Sequence, residues 1–113
     1  LVYFNAMKEH AGETIILDRS WYSDMVYGPV MRGREEMSPK HKEILEMTVR
    51  ALGGGLVIYC TGVQKQLWSR CIARGETYIP NSDVHKDICS TYDAVMKSIK
   101  WLPVVRYNTT AKW

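Results

Sequence analysis

The sequence has no long hydrophobic run. Its longest uninterrupted apolar stretch, Leu56 to Cys60, falls far short of the about 20 residues that a membrane helix requires. No charged leader precedes a signal-type apolar core, so a soluble protein with no membrane partner is expected. Cysteine is scarce and odd in number. Cys60, Cys71 and Cys89 fit neither a disulfide framework nor a paired-cysteine metal site, and a reducing cytoplasm is the expected home. Charge of one sign is also missing as a dominant feature. Lys and Arg number 15 against 12 Asp and Glu, a net +3 with both signs interspersed; this leaves no polybasic footprint for nucleic acid or an acidic membrane. No repeat or low-complexity segment occurs.

What is present is enough apolar material for one core: 46% of 113 residues are hydrophobic, the size of a single domain spanning 1–113. The opening residues, apolar at Val2, Tyr3, Ala6 and Met7 and stopped by Gly12, read as the tail of an amphipathic helix. Thr14-Ile15-Ile16-Leu17 is a short, wholly apolar and partly β-branched run, which predicts a strand in a parallel sheet covered on both faces. A short helix or turn is expected near Trp21 to Met25, then an irregular loop around Gly28-Pro29 and Gly33. Ser38-Pro39 supplies an N-cap and a first-turn proline for a helix striped with Ile44, Leu45, Thr48, Ala51 and Leu52.

Leu56 to Cys60 predicts a second strand, followed by a helix over about Val63 to Ala73. After a break at Gly75 to Asn81, a helix from Ser82 or Asp83 carries Ile88, Tyr92, Val95, Met96 and Ile99 at helical spacing. Pro103 to Tyr107 predicts a third strand. Strands separated by helices argue for an α/β fold with a three-layer parallel sheet. Three strands make that sheet thin, which points to further strands ahead of Leu1.

In open α/β sheets, ligands bind beyond the carboxyl ends of the strands. Asp18, Arg19 and Ser20 stand at that end of the first expected strand. A carboxylate there suits Mg²⁺, and an arginine suits a phosphate. Taken alone, the pair reads equally as a structural ion pair. On the residues alone, Arg70 and Arg74 are a solvated helix face, Tyr92 is core, and Trp21, Trp68, Trp101 and Trp113 are packing residues. His10, His41 and His85 fall in polar stretches without ligand spacing. Arg32, Arg34, Lys40, His41 and Lys42, diluted by Glu35 and Glu36, read as solvated surface.

The segment from Ile15 to Val30, with Asp18-Arg19-Ser20 at its centre, resembles the Asp-Arg-Ser/His/Tyr segment of thymidylate kinases and related deoxynucleoside kinases, especially their compact bacteriophage forms. The strand ending near Thr61, the arginine-bearing helix and Arg74-Gly75-Glu76-Thr77-Tyr78-Ile79 are similar to that family's strand, helix and lid in the same order. The resemblance implies a P-loop nucleoside monophosphate kinase fold, with ATP and Mg²⁺ as cofactors and dTMP or a similar nucleotide as substrate. It implies Asp18 near the metal and Arg19 on the acceptor phosphate. Ser20, Ser23 and Tyr27 would lie along the acceptor, and Tyr78 would stack or hydrogen-bond beside it. Arg70 and Arg74 would cover the transferred phosphoryl group in a lid over about 74–82. Homodimerisation through helix 38–52 is a further implication, as is a host cytoplasm if the gene is a phage's.

The chain departs from that family in one respect. No G-x-x-x-x-G-K-[ST] occurs, and Gly53-Gly54-Gly55 precedes a strand where a phosphate loop would follow one. The expectation is therefore the central and C-terminal part of such a kinase, inactive alone, with roughly 60 to 90 residues ahead of Leu1 completing the α/β domain. A remnant that binds nucleotide or a protein partner within a larger assembly, and a nucleoside kinase, are the alternatives.

Overall fold

The computed structural model describes residues 2–111; Leu1 and Trp113, named above, lie outside them. Among the described residues, five helices and two strands follow one another: α1 (Val2–Glu9), α2 (Trp21–Arg32), α3 (Pro39–Ala51), β1 (Val57–Thr61), α4 (Gln64–Ala73), α5 (Ser82–Lys97) and β2 (Val104–Asn108). Ser38 caps α3 as expected, and Asn81, expected in a break, caps α5. Ser38 Oγ accepts from the His41 amide at 3.1 Å, and Asn81 Oδ1 accepts from the Val84 amide at 2.9 Å, satisfying first-turn donors that the helix leaves unpaired.

The two strands are parallel, with Val57 opposite Val104 and Thr61 opposite Asn108. The result is a small α/β fold with a two-stranded sheet, not the three strands expected. Thr14 to Leu17 forms neither helix nor strand and joins no sheet, with Ile16 89% exposed. A β-branched run supplies the propensity for a strand, whereas the ladder itself needs a neighbour to receive its backbone groups, and among the described residues none lies alongside.

The second correction concerns α2, which runs through Gly28-Pro29 to Arg32 instead of stopping near Met25. Gly28 is buried where the chain folds back past the helix end. A Cβ on it would stand 2.8 Å from the Arg34 carbonyl oxygen and 2.9 Å from Glu36 Cγ, so its glycine serves close packing within the helix. Gly33, at φ 63°, supplies the left-handed stop.

The core gathers Met7, Trp21, Tyr22, Val26, Leu45, Ile79, Ile88 and Val95, and its main helix pair is α2 on α5, with α4 on α5 and α1 on α3. Tyr92 packs against this core as expected, and Trp21 is part of it. Trp101 donates to Glu43 Oε1 at 3.1 Å and lies under the Arg50 guanidinium. Tyr59 ties the sheet to α5: its hydroxyl donates to Asp93 at 2.7 Å, and Arg106 of β2 reaches both that carboxylate and the tyrosine ring. Burial, with Asp93 as hydrogen-bond acceptor, pushes the Tyr59 hydroxyl up to about 12.

Two residues read as polar surface are instead buried. Lys42, 6% exposed, places its ammonium 3.1 Å from Glu46 Oε2 and 3.0 Å from the Ser98 carbonyl oxygen; Glu46 has no exposed surface and also accepts from the Tyr22 hydroxyl at 2.9 Å. His85 is buried between α4 and α5, with Gln64 3.0 Å from Nδ1 and the Trp68 ring beside it.

Removing one member of a buried ion pair strands the other without water, at a cost of about 3–5 kcal/mol. Lys42→Met should therefore lower unfolding free energy by about that amount, and adding Glu46→Leu should recover most of it; equal losses in single and double variants, measured by urea denaturation, would contradict this account. His85 is held below its ordinary 6.5 by burial and then by the Arg74 charge. The unfolded chain takes up the proton first, so stability is full above pH 6.5 and declines as pH falls toward the lowered folded value. The slope is at most about 1.4 kcal/mol per pH unit, and His85→Gln should flatten it in a melting series from pH 7.5 to 5.

Candidate functional site

Arg19 is the one non-glycine residue among the described residues with a positive φ, 60°. A left-handed backbone costs an ordinary side chain roughly 1–2 kcal/mol, and strain of this kind collects where a chain must aim a group. The strained residue sits between Thr14–Leu17 and the start of α2. Its guanidinium carbon lies 5.7 Å from the centre of the Tyr27 ring, within cation–π range.

Around this point the fold brings together Asp18, Arg19, Ser20, Ser23, Tyr27 and Tyr78, which line one open pocket of about 360 Å³ together with Tyr3, Asp24 and Arg32. That volume lies within the range of small-molecule sites. Most of its wall is one face of α2: Ser20 precedes the first turn, and Ser23, Asp24 and Tyr27 follow at helical spacing.

Ser23, Asp24, Tyr27 and Tyr78 are each aimed by a partner. Ser23 Oγ lies 2.8 Å from the Tyr92 hydroxyl, so Tyr92 serves the site's geometry as well as the core. The Tyr3 hydroxyl donates to Asp24 at 3.3 Å. The Tyr27 and Tyr78 rings stand 6.3 Å apart at 37°, a spacing within the range for paired aromatics. Burial, then the neighbouring Tyr92, raises the Tyr27 hydroxyl above its ordinary range, although Arg19 opposes the shift; the group remains a proton donor.

Arg32, expected on a solvated surface, is exposed and also lines the pocket. Its guanidinium meets both carboxylate oxygens of Glu36, at 2.5 and 2.7 Å, and donates to the Tyr78 hydroxyl at 3.0 Å. It thus joins the end of α2 to the segment expected as a lid. The Arg32–Glu36 spacing of four was visible in the sequence, but the helix that makes it a contact was expected to end earlier. Within that segment, Ile79 is buried in the core while Tyr78 is exposed; a single anchored residue holds the pocket's rim.

The two remaining arginines stand elsewhere. Arg74 lies beside Cys71 and Glu76, on the wall of a second, larger groove that also reaches Asp18 and Arg19. Arg70 lines neither cavity; it donates to the Thr109 carbonyl at 3.0 Å and to its hydroxyl at 3.3 Å. Comparison with family models, curated proteins and solved structures finds no match.

No group of three or more His, Cys, Asp or Glu among the described residues is arranged to hold a metal. Mg²⁺ that arrives with a nucleotide needs only one or two carboxylates, and Asp18 and Asp24 share the pocket, so the donor set fits such an ion. A triphosphate fits less well. Gly53 and Gly54 commit their amides to the Arg50 and Val49 carbonyls as the chain leaves α3, and so form no cradle for donor phosphates.

Glycine at position 19 removes the left-handed penalty, whereas a β-branched residue deepens it. Arg19→Gly should keep unfolding free energy within about 1 kcal/mol of the parent, while Arg19→Val should lose about 1–2 kcal/mol. Indistinguishable thermal melts for the two variants would show that the backbone at this residue is unstrained.

Proposed function

We propose that this chain is the acceptor-holding part of a deoxynucleoside monophosphate kinase of the thymidylate kinase kind. The observation that carries the reading is the convergence of Arg19 with Ser23, Tyr27 and Tyr78 on one pocket, uniting a cation, hydroxyls and aromatic faces from segments far apart in sequence. Those are the three chemistries a nucleoside monophosphate requires. Arg19 supplies a planar donor fork for the phosphate. Tyr27 and Tyr78 offer ring faces for the base, and Ser23, aimed by Tyr92, offers a hydroxyl to the sugar or base.

When bound, MgATP supplies the phosphoryl group to be transferred and the metal charge that offsets its oxygens. The residues of this chain fix the acceptor. Asp18 and Asp24 provide carboxylates at the pocket, and Arg32, through Tyr78, holds one wall in position. Arg74, exposed on the adjoining groove, is the cation available to that side. Arg70 belongs to the reading only through its hold on Thr109. Catalysis in such a site consists of positioning and charge compensation; dTMP or a related nucleotide is the proposed acceptor, with ATP as the donor.

A charge-assisted, two-pronged hydrogen bond contributes about 1.5–3 kcal/mol. Titration of the chain with thymidine 5′-monophosphate should therefore show binding at least tenfold tighter than thymidine, and Arg19→Ala should erase the difference. Equal affinity for nucleoside and nucleotide in the parent protein would remove the phosphate from the reading and favour a nucleoside acceptor.

A further inference from the structure

Two side chains of opposite charge line the smaller pocket without pairing. Arg19 rests over the Tyr27 ring and Asp24 accepts from the Tyr3 hydroxyl. Among the described residues no ion pair reaches either of them, although a guanidinium and a carboxylate readily form a two-pronged pair. Each is held by a different partner, which keeps them apart and leaves both to a ligand.

Asp24 is the more closely held. Tyr3, on α1, packs edge-on to the buried Trp21, with ring centres 5.4 Å apart at 77°; this fixes the ring whose hydroxyl reaches Asp24 Oδ2 at 3.3 Å. Burial, then the Asp24 charge, raises the Tyr3 hydroxyl above its ordinary range, so it stays a donor to the carboxylate. A carboxylate accepts only, at about four lone-pair sites. Tyr3 occupies one, and no other side chain donates to Asp24 among the described residues. As an acid in the first turn of α2, Asp24 also suits the helix dipole, but that role needs neither Tyr3 nor a cavity.

Building on the acceptor reading of this pocket, we infer that Asp24 is the residue that selects the base, and that the base it selects is guanine. The hydrogen-bonding edges of the bases decide between them. Thymine sets its N–H between two carbonyl oxygens, whereas cytosine and adenine each set an amine beside an unprotonated ring nitrogen. Of the four DNA bases, guanine alone sets two donors side by side, the ring N–H and the 2-amino group. They match the two oxygens of a carboxylate with two charge-assisted hydrogen bonds. Against any other base the carboxylate meets a lone pair, and an acceptor shielded from water without a donor is costly.

Arg19 then holds the phosphate, Tyr27 and Tyr78 offer their faces to the base, and Asp24 reads its edge. Asp18, next to Arg19, is left as the carboxylate for Mg²⁺, which needs only one or two. Thymine becomes the less favoured base within the same class of acceptor.

The test is a calorimetric titration of the full chain with the 5′-monophosphates of 2′-deoxyguanosine, 2′-deoxyinosine and thymidine. Deoxyinosine differs from deoxyguanosine only in lacking the 2-amino group. The guanine nucleotide should bind at least about tenfold more tightly than either of the others, as a well-placed two-pronged base contact does. Asp24→Asn, which puts a donor where an acceptor stood, should erase that difference. The comparison of guanine with inosine nucleotide uses the parent protein, so a variant that fails to fold cannot mimic the result. Equal binding of those two nucleotides by the parent, or a difference that survives Asp24→Asn, would overturn the inference. The phosphate is judged separately: 2′-deoxyguanosine binding as tightly as its monophosphate would remove Arg19 from the acceptor site while leaving Asp24 as the base-selecting residue. Binding of none of the three nucleotides would overturn both readings.

Discussion

The arrangement depends first on a buried carboxylate. Glu46, with no exposed surface, is held on one oxygen by the Lys42 ammonium and the Tyr22 hydroxyl, and Lys42 in turn donates to the carbonyl that caps α5. One charge pair thereby fixes three helices relative to one another. Burial, and then the hydrogen bond to Glu46, drives the Tyr22 hydroxyl far above its ordinary range, so it stays a donor at any working pH. Because charges this deep tolerate little displacement, they set the rotation of α2 about its axis. Tyr22 and Val26 face inward, and the next row of the helix, Ser23 and Tyr27, is turned toward the pocket.

The second constraint is local and lies at the entrance to that helix. The chain bends at Asp18 and Arg19 before α2 begins, and at Arg19 it does so in a conformation that an arginine adopts at a cost. Ser20 follows in an extended conformation and makes no side-chain cap, so the first turn of α2 is less well tied than those of α3 and α5. The strain is compensated by what surrounds it: Trp21 and Tyr22 are buried immediately afterward, and the cation rests over Tyr27. The pocket is thus built on a rigid helix face, with its cation supplied by a strained joint.

Much of the helical frame was legible. The cap at Ser38 and the apolar stripe of α5 are signals carried within a few residues, and the helices form where those signals stand. The helix α2 was cut short because Gly28-Pro29 carries the local chemistry of a turn; its continuation rests on a close approach by Arg34 and Glu36, residues outside any helical period. Lys42 and Glu46 stand at a readable spacing of four, yet nothing in that spacing distinguishes an exposed pair from a buried one. Arg32 lies at the end of a helix that the local turn chemistry of Gly28-Pro29 conceals, and the polar sequence neighbours of His85 suggest exposure although α4 covers it.

The sheet draws the boundary most sharply. Composition and periodicity by themselves located α3, α4 and α5 and the strands β1 and β2 to within a few residues, since these follow from local propensity and side-chain spacing. Only the tertiary structure decided that Val57–Thr61 pairs with Val104–Asn108, that Thr14–Leu17 stays unpaired, and that Tyr78 meets Arg32 and Tyr27 across dozens of residues. Strand pairing, burial of charge and assembly of a pocket depend on what the rest of the chain brings alongside, and no window of sequence contains that.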